Sequence, residues 1–84
     1  MKVQAEVSLY PLRQKNLARQ IDWFCELLQK DKVEVRKGPM SSLITADSEV
    51  IFRSLKNAFE QLAKEYEVVL TAKISNACPE CKEE

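Results

Sequence analysis

Val33-Glu34-Val35-Arg36-Lys37-Gly38-Pro39-Met40-Ser41-Ser42-Leu43-Ile44-Thr45, at the middle of an 84-residue chain, decides the fold. Val33 to Arg36 alternates apolar and polar residues, the period of a half-buried strand. Gly38-Pro39 marks a turn, with the chain's one glycine placed where a positive φ is easiest to adopt. Met40 to Thr45 carries no charge and two β-branched residues, and reads as the next strand. Two strands joined this closely form a hairpin, so the chain reverses direction here.

On either side of the hairpin the period lengthens. From about Arg13 to Lys30, the residues Leu17, Ile21, Phe24, Cys25 and Leu28 recur at spacings of three and four, with Arg19, Asp22, Glu26 and Lys30 opposite. This predicts an amphipathic helix of about five turns. Trp23, beside that stripe, is expected to be partly buried, as a packing or interface residue. After the hairpin, Asp47 or Ser48 is placed to cap a second helix, with Glu49 favourable in its first turn. Ile51, Leu55, Ala58, Phe59, Leu62 and Tyr66 form its apolar stripe, and Glu60 with Lys64 makes an i,i+4 pair. Phe59 is expected in the core.

The outermost segments return to a period of two. Val3, Ala5, Val7 and Leu9 alternate with Gln4, Glu6, Ser8 and Tyr10, and Pro11 ends the strand. Over Glu67 to Ser75, the residues Val68, Leu70, Ala72 and Ile74 alternate with Val69, Thr71, Lys73 and Ser75. Asn76-Ala77-Cys78-Pro79 terminates that strand.

The order is strand, helix, strand, strand, helix, strand. Right-handed crossovers put both helices on one face of one sheet. The expected fold is α+β, a ferredoxin-like βαββαβ sandwich whose antiparallel four-stranded sheet runs 4-1-3-2. It forms a single domain over residues 1–79, and 80–84 reads as a short charged tail. The uncovered sheet face should then present Gln4, Glu6, Ser8, Tyr10, Val69, Thr71, Lys73 and Ser75. That face suits a polar organic ligand or a second subunit.

Composition removes several functions. Thirteen basic residues balance thirteen acidic ones, so the basic surplus that phosphate binding requires is missing, and no nucleic-acid partner is expected. Zero net charge is permissive for association. Without histidine there is no Ser-His-Asp or Cys-His chemistry and no His-liganded metal. A single glycine excludes a glycine-rich phosphate loop. No apolar run approaches ~18 residues and no signal-peptide core follows Met1, so a cytoplasmic location is expected, with no membrane partner. The three cysteines should then be mostly reduced.

The chemistry-bearing residues are few. Cys78-Pro79-Glu80-Cys81 is a C-x-x-C, but it closes a strand instead of opening a helix, and no second cysteine pair or histidine completes a metal site. Cys78 is expected to pack at the strand end, with Cys81 incidental, and Cys25 to be core. Glu6 and Lys73 should face each other across paired strands. Ser8 and Tyr10 fall at the same sheet end as Met40, Ser41 and Ser42, whereas Ser75 to Cys78 fall at the other. Hydroxyls and amides without a titrating partner suit recognition better than catalysis. No cofactor is expected.

Three motifs carry a resemblance. Ala5-Glu6-Val7-Ser8-Leu9-Tyr10-Pro11-Leu12, then Gly38-Pro39-Met40-Ser41-Ser42-Leu43-Ile44, then Ile74-Ser75-Asn76-Ala77-Cys78-Pro79 occur in order. Between the last two lie Ala46-Asp47 and a helix with Phe52 and Ala58-Phe59-Glu60. Over residues 3–79 the chain resembles the YkoF-like thiamine-binding proteins. The resemblance implies a ferredoxin-like domain, here in one copy, that assembles into homodimers or homotetramers. It implies binding of thiamine or its hydroxymethylpyrimidine part, a link to thiamine supply, and no enzymatic activity. By motif it points to Ser8 and Tyr10, to Met40, Ser41 and Ser42, and to Ser75, Asn76 and Cys78. Ser42 stands where the family usually has threonine, and Ala46 where it has glycine. Glu6, the one acid expected on the open face, would meet the thiazolium cation. The alternative is an oligomeric regulatory or interaction domain with no small ligand.

Overall fold

The computed structural model describes residues 1–79 and 81. Its elements are β1 (Lys2–Pro11), α1 (Ala18–Lys30), β2 (Glu34–Lys37), β3 (Ser42–Asp47), α2 (Ser48–Ala63) and β4 (Val68–Ser75). The strands form one antiparallel sheet in the order β2-β3-β1-β4, the expected 4-1-3-2 arrangement read from its other edge. Of the charged tail expected over 80–84, all but Cys81 lies outside the described residues.

The core lies between one sheet face and both helices. Val3, Ala5, Val7 and Leu9 of β1 and Ile44 of β3 meet Phe24 and Leu28 of α1 and Ile51, Leu55, Ala58 and Leu62 of α2. Each large side chain buried there contributes about 1.5–3 kcal/mol. Trp23 is half-buried against this cluster, as its place beside the stripe predicts.

Several elements differ from expectation, each for a local reason. α1 begins at Ala18, not near Arg13, and is 13 residues long. Arg13 has a left-handed φ of 58°, the Leu12 N–H donates to the Glu67 carbonyl at 2.8 Å, and Arg13 pairs with Glu67. The chain is thereby held against β4 until the Asn16 side chain accepts the Ala18 N–H at 3.0 Å. In α2, Asp47 is the N-cap, its carboxylate accepting the Glu49 N–H at 3.2 Å. Glu60 pairs backward with Lys56 at 3.6 Å, not forward with Lys64. Phe59 is only half-buried and lies outside the core, where Ser54 takes a buried place instead. β4 outruns the helices: Val68 and Leu70 pack on the core, whereas Ala72 and Ile74 are exposed.

Two corrections concern the hairpin and the cysteines. Gly38 has no positive φ. Its N–H donates to the Ser41 carbonyl at 2.8 Å, and a Cβ there would stand 2.8 Å from that same oxygen. Close approach, not backbone conformation, requires the glycine. Cys78 and Cys81 are disulfide-bonded and both are buried, so Cys81 is not incidental and the pair is not reduced. The Cys81 N–H donates to the Cys78 carbonyl at 3.0 Å, and this tight turn brings the two Cα atoms to 5.1 Å, within bridging range.

Candidate functional site

The turn closed by Gly38 and Ser41 delays β3 to Ser42, so Met40 and Ser41 lie in a loop and not in a strand. The register sets what this loop overhangs. Val7 pairs with Ser42 and Glu6 with Leu43, so Ser8 stands just beyond the end of β3, beside the loop. The Ser41 Oγ donates to Glu6 Oε2 at 3.0 Å, tying the loop to the open sheet face.

Two clefts meet at this point. The helix-side cleft, about 120 Å³, has Val7, Ile21 and Phe24 among its walls and Cys25 and Ser42 in its lining. Cys25 Sγ and Ser42 Oγ, both buried, are 3.9 Å apart. The other cleft, about 260 Å³, is lined by Glu6, Thr71 and Lys73 on the open face. Val7, Ser8, Met40 and Ser41 line both. Met40 is 89% exposed, a flexible thioether standing over the junction.

Charge is divided between the clefts. Lys37 borders the helix-side cleft, and its ammonium donates to the Asp22 carboxylate at 2.7 Å. That bond holds the Lys37 pKa above the usual lysine value, so the group stays cationic. Glu6 is exposed and its cross-strand partner in register is Lys73, as expected, but no ion pair joins them. It accepts the Ser41 hydroxyl instead.

The residues read from the sequence therefore separate into groups. Glu6, Ser8, Met40, Ser41 and Ser42 come together around the loop. Tyr10 shares their sheet face, is 57% exposed and pairs with Val69, but lines neither cleft. Asn76 is not brought to them. Ser75 pairs with Gln4 near the start of β1, which leaves Asn76 and Cys78 at the far end of the sheet. Sequence reasoning placed Ile21, Phe24 and Cys25 in the apolar stripe without giving them a cleft. The missed signal is their i, i+3, i+4 spacing combined with the inward-facing position of Ser42. Elsewhere, Trp23 of α1 and Tyr66, just after α2, border an open groove of about 630 Å³. Among the described residues no group of three or more His, Cys, Asp or Glu is placed to hold a metal. Among them also, no helix is long and apolar enough to cross a membrane.

A family model described as the YKOF-related family matches residues 2–81. No curated protein matches the chain. Solved structures similar to it include a hypothetical protein from Methanocaldococcus jannascii, 25% identical with a TM-score of 0.83, covering 93% of this chain and 82% of that one. A protein from Streptococcus pneumoniae is 24% identical with a TM-score of 0.82, and the match covers both chains fully. A candidate thiamine biosynthesis/salvage protein from Thermotoga maritima is 19% identical with a TM-score of 0.79, over 89% of this chain and 83% of that one. At these identities the last two likenesses establish the fold.

Proposed function

This chain belongs to the YKOF-related family, and from that premise we propose that it is a non-catalytic binding protein for thiamine or its hydroxymethylpyrimidine part, working as a homo-oligomer in thiamine supply or sensing. The observation that carries the reading is the junction of two unlike clefts at Ser8, Met40 and Ser41. One is apolar-walled with buried hydroxyl and thiol groups, and the other holds the Glu6 carboxylate. Thiamine has a matching division into a neutral pyrimidine and a cationic thiazolium. The similarity of fold to the Thermotoga maritima candidate thiamine protein supports the same direction.

A binding role suits the side chains present. Ser41 already donates to a carboxylate, but the chain has no histidine to relay its proton. Hydroxyls, a thioether and one carboxylate recognise a polar heterocycle without transforming it. Association is favoured by size and surface. A chain of this length buries only somewhat over ~60% of its unfolded surface. The open sheet face also exposes Leu43, Tyr10 and Val69.

Calorimetric titration with thiamine and, separately, hydroxymethylpyrimidine, on protein whose mass is fixed by light scattering, tests the reading. Micromolar or tighter binding with a defined stoichiometry per subunit is expected. A folded oligomer that takes up neither ligand defeats it and leaves an interaction domain as the function.

A further inference from the structure

We propose that the groove between α1 and the end of α2 binds a guanine nucleoside monophosphate, with its phosphate on Lys15 and Arg19, its base against Trp23 and Tyr66, and the hydrogen-bonding edge of that base on Glu26. The groove shares no lining residue with the two clefts at the Gly38–Ser41 turn. Two hollows of about 630 and 480 Å³ make it up, and Arg19, Gln20 and Tyr66 line both. Each hollow is within the ~300–1,000 Å³ of sites that hold a small molecule.

Order along α1 carries the assignment. Arg19, Trp23 and Glu26 are spaced i, i+4 and i+7, so a cation, an aromatic ring and a carboxylate follow one another on one stripe. At ~1.5 Å per residue that stripe is about 10 Å long, the scale of a mononucleotide from its phosphate to the far edge of its base. Lys15 adds to the cationic end, and Tyr66 adds a second aromatic ring. Trp23 and Tyr66 are half-buried, which leaves ring surface for a base to stack on. Asp22 is held by Lys37 and Arg13 by Glu67, but Lys15, Arg19 and Glu26 enter no ion pair among the described residues.

A buried acceptor lies where the hollows meet. Gln20 is 4% exposed and lines both. Its amide nitrogen donates to the Asn16 and Leu17 carbonyls at 2.8 and 3.2 Å, and its carbonyl oxygen has no hydrogen bond among the described residues. That oxygen can accept a ribose hydroxyl. The carboxylate singles out guanine. The ring N–H and the amino group of guanine are adjacent donors that meet both oxygens of one carboxylate. Adenine sets its amino group beside a lone pair, which a carboxylate repels. Side chains, not a glycine-rich backbone loop, hold the phosphate, in keeping with the single glycine of the chain.

Trp23 is the only tryptophan, so its fluorescence in the full chain reports the site. Guanosine 5′-monophosphate should quench it with half-saturation at or below about 1 mM, and adenosine 5′-monophosphate, guanosine and ribose 5-phosphate should each bind about tenfold more weakly. Calorimetry gives the same affinities without the absorbance of the base. Lys15→Gln combined with Arg19→Gln should weaken the guanine nucleotide about tenfold and leave guanosine unchanged. Glu26→Gln should erase the preference for the guanine over the adenine nucleotide. Thermal melting confirms that both variants fold. Folded wild-type protein that gives neither quenching nor heat with the guanine nucleotide overturns the inference. Equal affinity for the two nucleotides overturns it as well, as does a guanine-nucleotide affinity that neither variant moves. None of these outcomes bears on the thiamine reading, which its own titration decides.

Discussion

The Ser41 hydroxyl donates to the Glu6 carboxylate at 3.0 Å, across 35 positions of sequence, and so fixes the Gly38–Ser41 turn to the open face of β1. Gly38 closes the same turn from its other end by donating to the Ser41 carbonyl at 2.8 Å. The loop between the two clefts is therefore set before a ligand arrives, which lowers the ordering that binding would require.

Glu6→Gln separates the two halves of the ligand. Glutamine keeps an acceptor for Ser41 but removes the charge that would face a cation. Thiamine affinity should fall about two- to fivefold, the scale of an exposed ion pair. Hydroxymethylpyrimidine, which has no cation, should bind as before. Parallel calorimetric titrations read both, and equal affinity of the two proteins for thiamine removes Glu6 from the site.

Asn76 lies at the sheet end away from the loop. If each subunit binds alone, Asn76→Ala leaves affinity and oligomer mass unchanged, and this is the expected result. Weakened binding with the oligomer intact, by calorimetry and light scattering together, places Asn76 of a second copy in a shared pocket instead.

The hairpin, the two stripes and the four alternating strands were legible because each depends on a period in the sequence. What was not legible depends on partners distant in sequence. The late start of α1 follows from Glu67 engaging both Leu12 and Arg13, some 55 positions away. The exposure of Ala72 and Ile74 follows from where the helices end over β4, which no alternation can encode. In the site, motif and register together brought Ser8 to Ser41, but the inner cleft was hidden. Ile21, Phe24 and Cys25 look like core in the sequence, and only the loop beside them leaves space. The Cys78–Cys81 bond was not legible because a C-x-x-C reads alike whether reduced or bridged, and only the folded turn brings its Cα atoms to 5.1 Å.

Ser54 on α2 is 1% exposed, and its hydroxyl has no hydrogen-bond partner among the described residues. An unsatisfied buried hydroxyl costs about 1–3 kcal/mol, and alanine is also the better helix former. Ser54→Ala should therefore raise stability by about 1 kcal/mol, or about 4–8 °C in Tm for a domain of this size. Urea unfolding with an unchanged m-value would register the gain. A loss of stability would mean that the hydroxyl does find a partner in solution.

Asp47 should contribute to the acid limb of stability. Its carboxylate accepts from the Met1 amino group at 2.9 Å and from the Glu49 N–H at 3.2 Å, and these bonds, the first the larger, hold its pKa below 3.8. A depressed carboxylate pKa means that the unfolded chain takes up the proton first as pH falls. The stabilisation is then fully present well above 3.8 and is lost as pH drops below that value through the folded pKa. Asp47→Asn keeps an acceptor for the helix cap but cannot titrate. Its melting temperature should lie below that of the wild type near neutral pH, and the two should converge in acid. The curves, followed by circular dichroism from pH 7 downward, would instead stay parallel if Asp47 were equally protonated in the folded and unfolded chains.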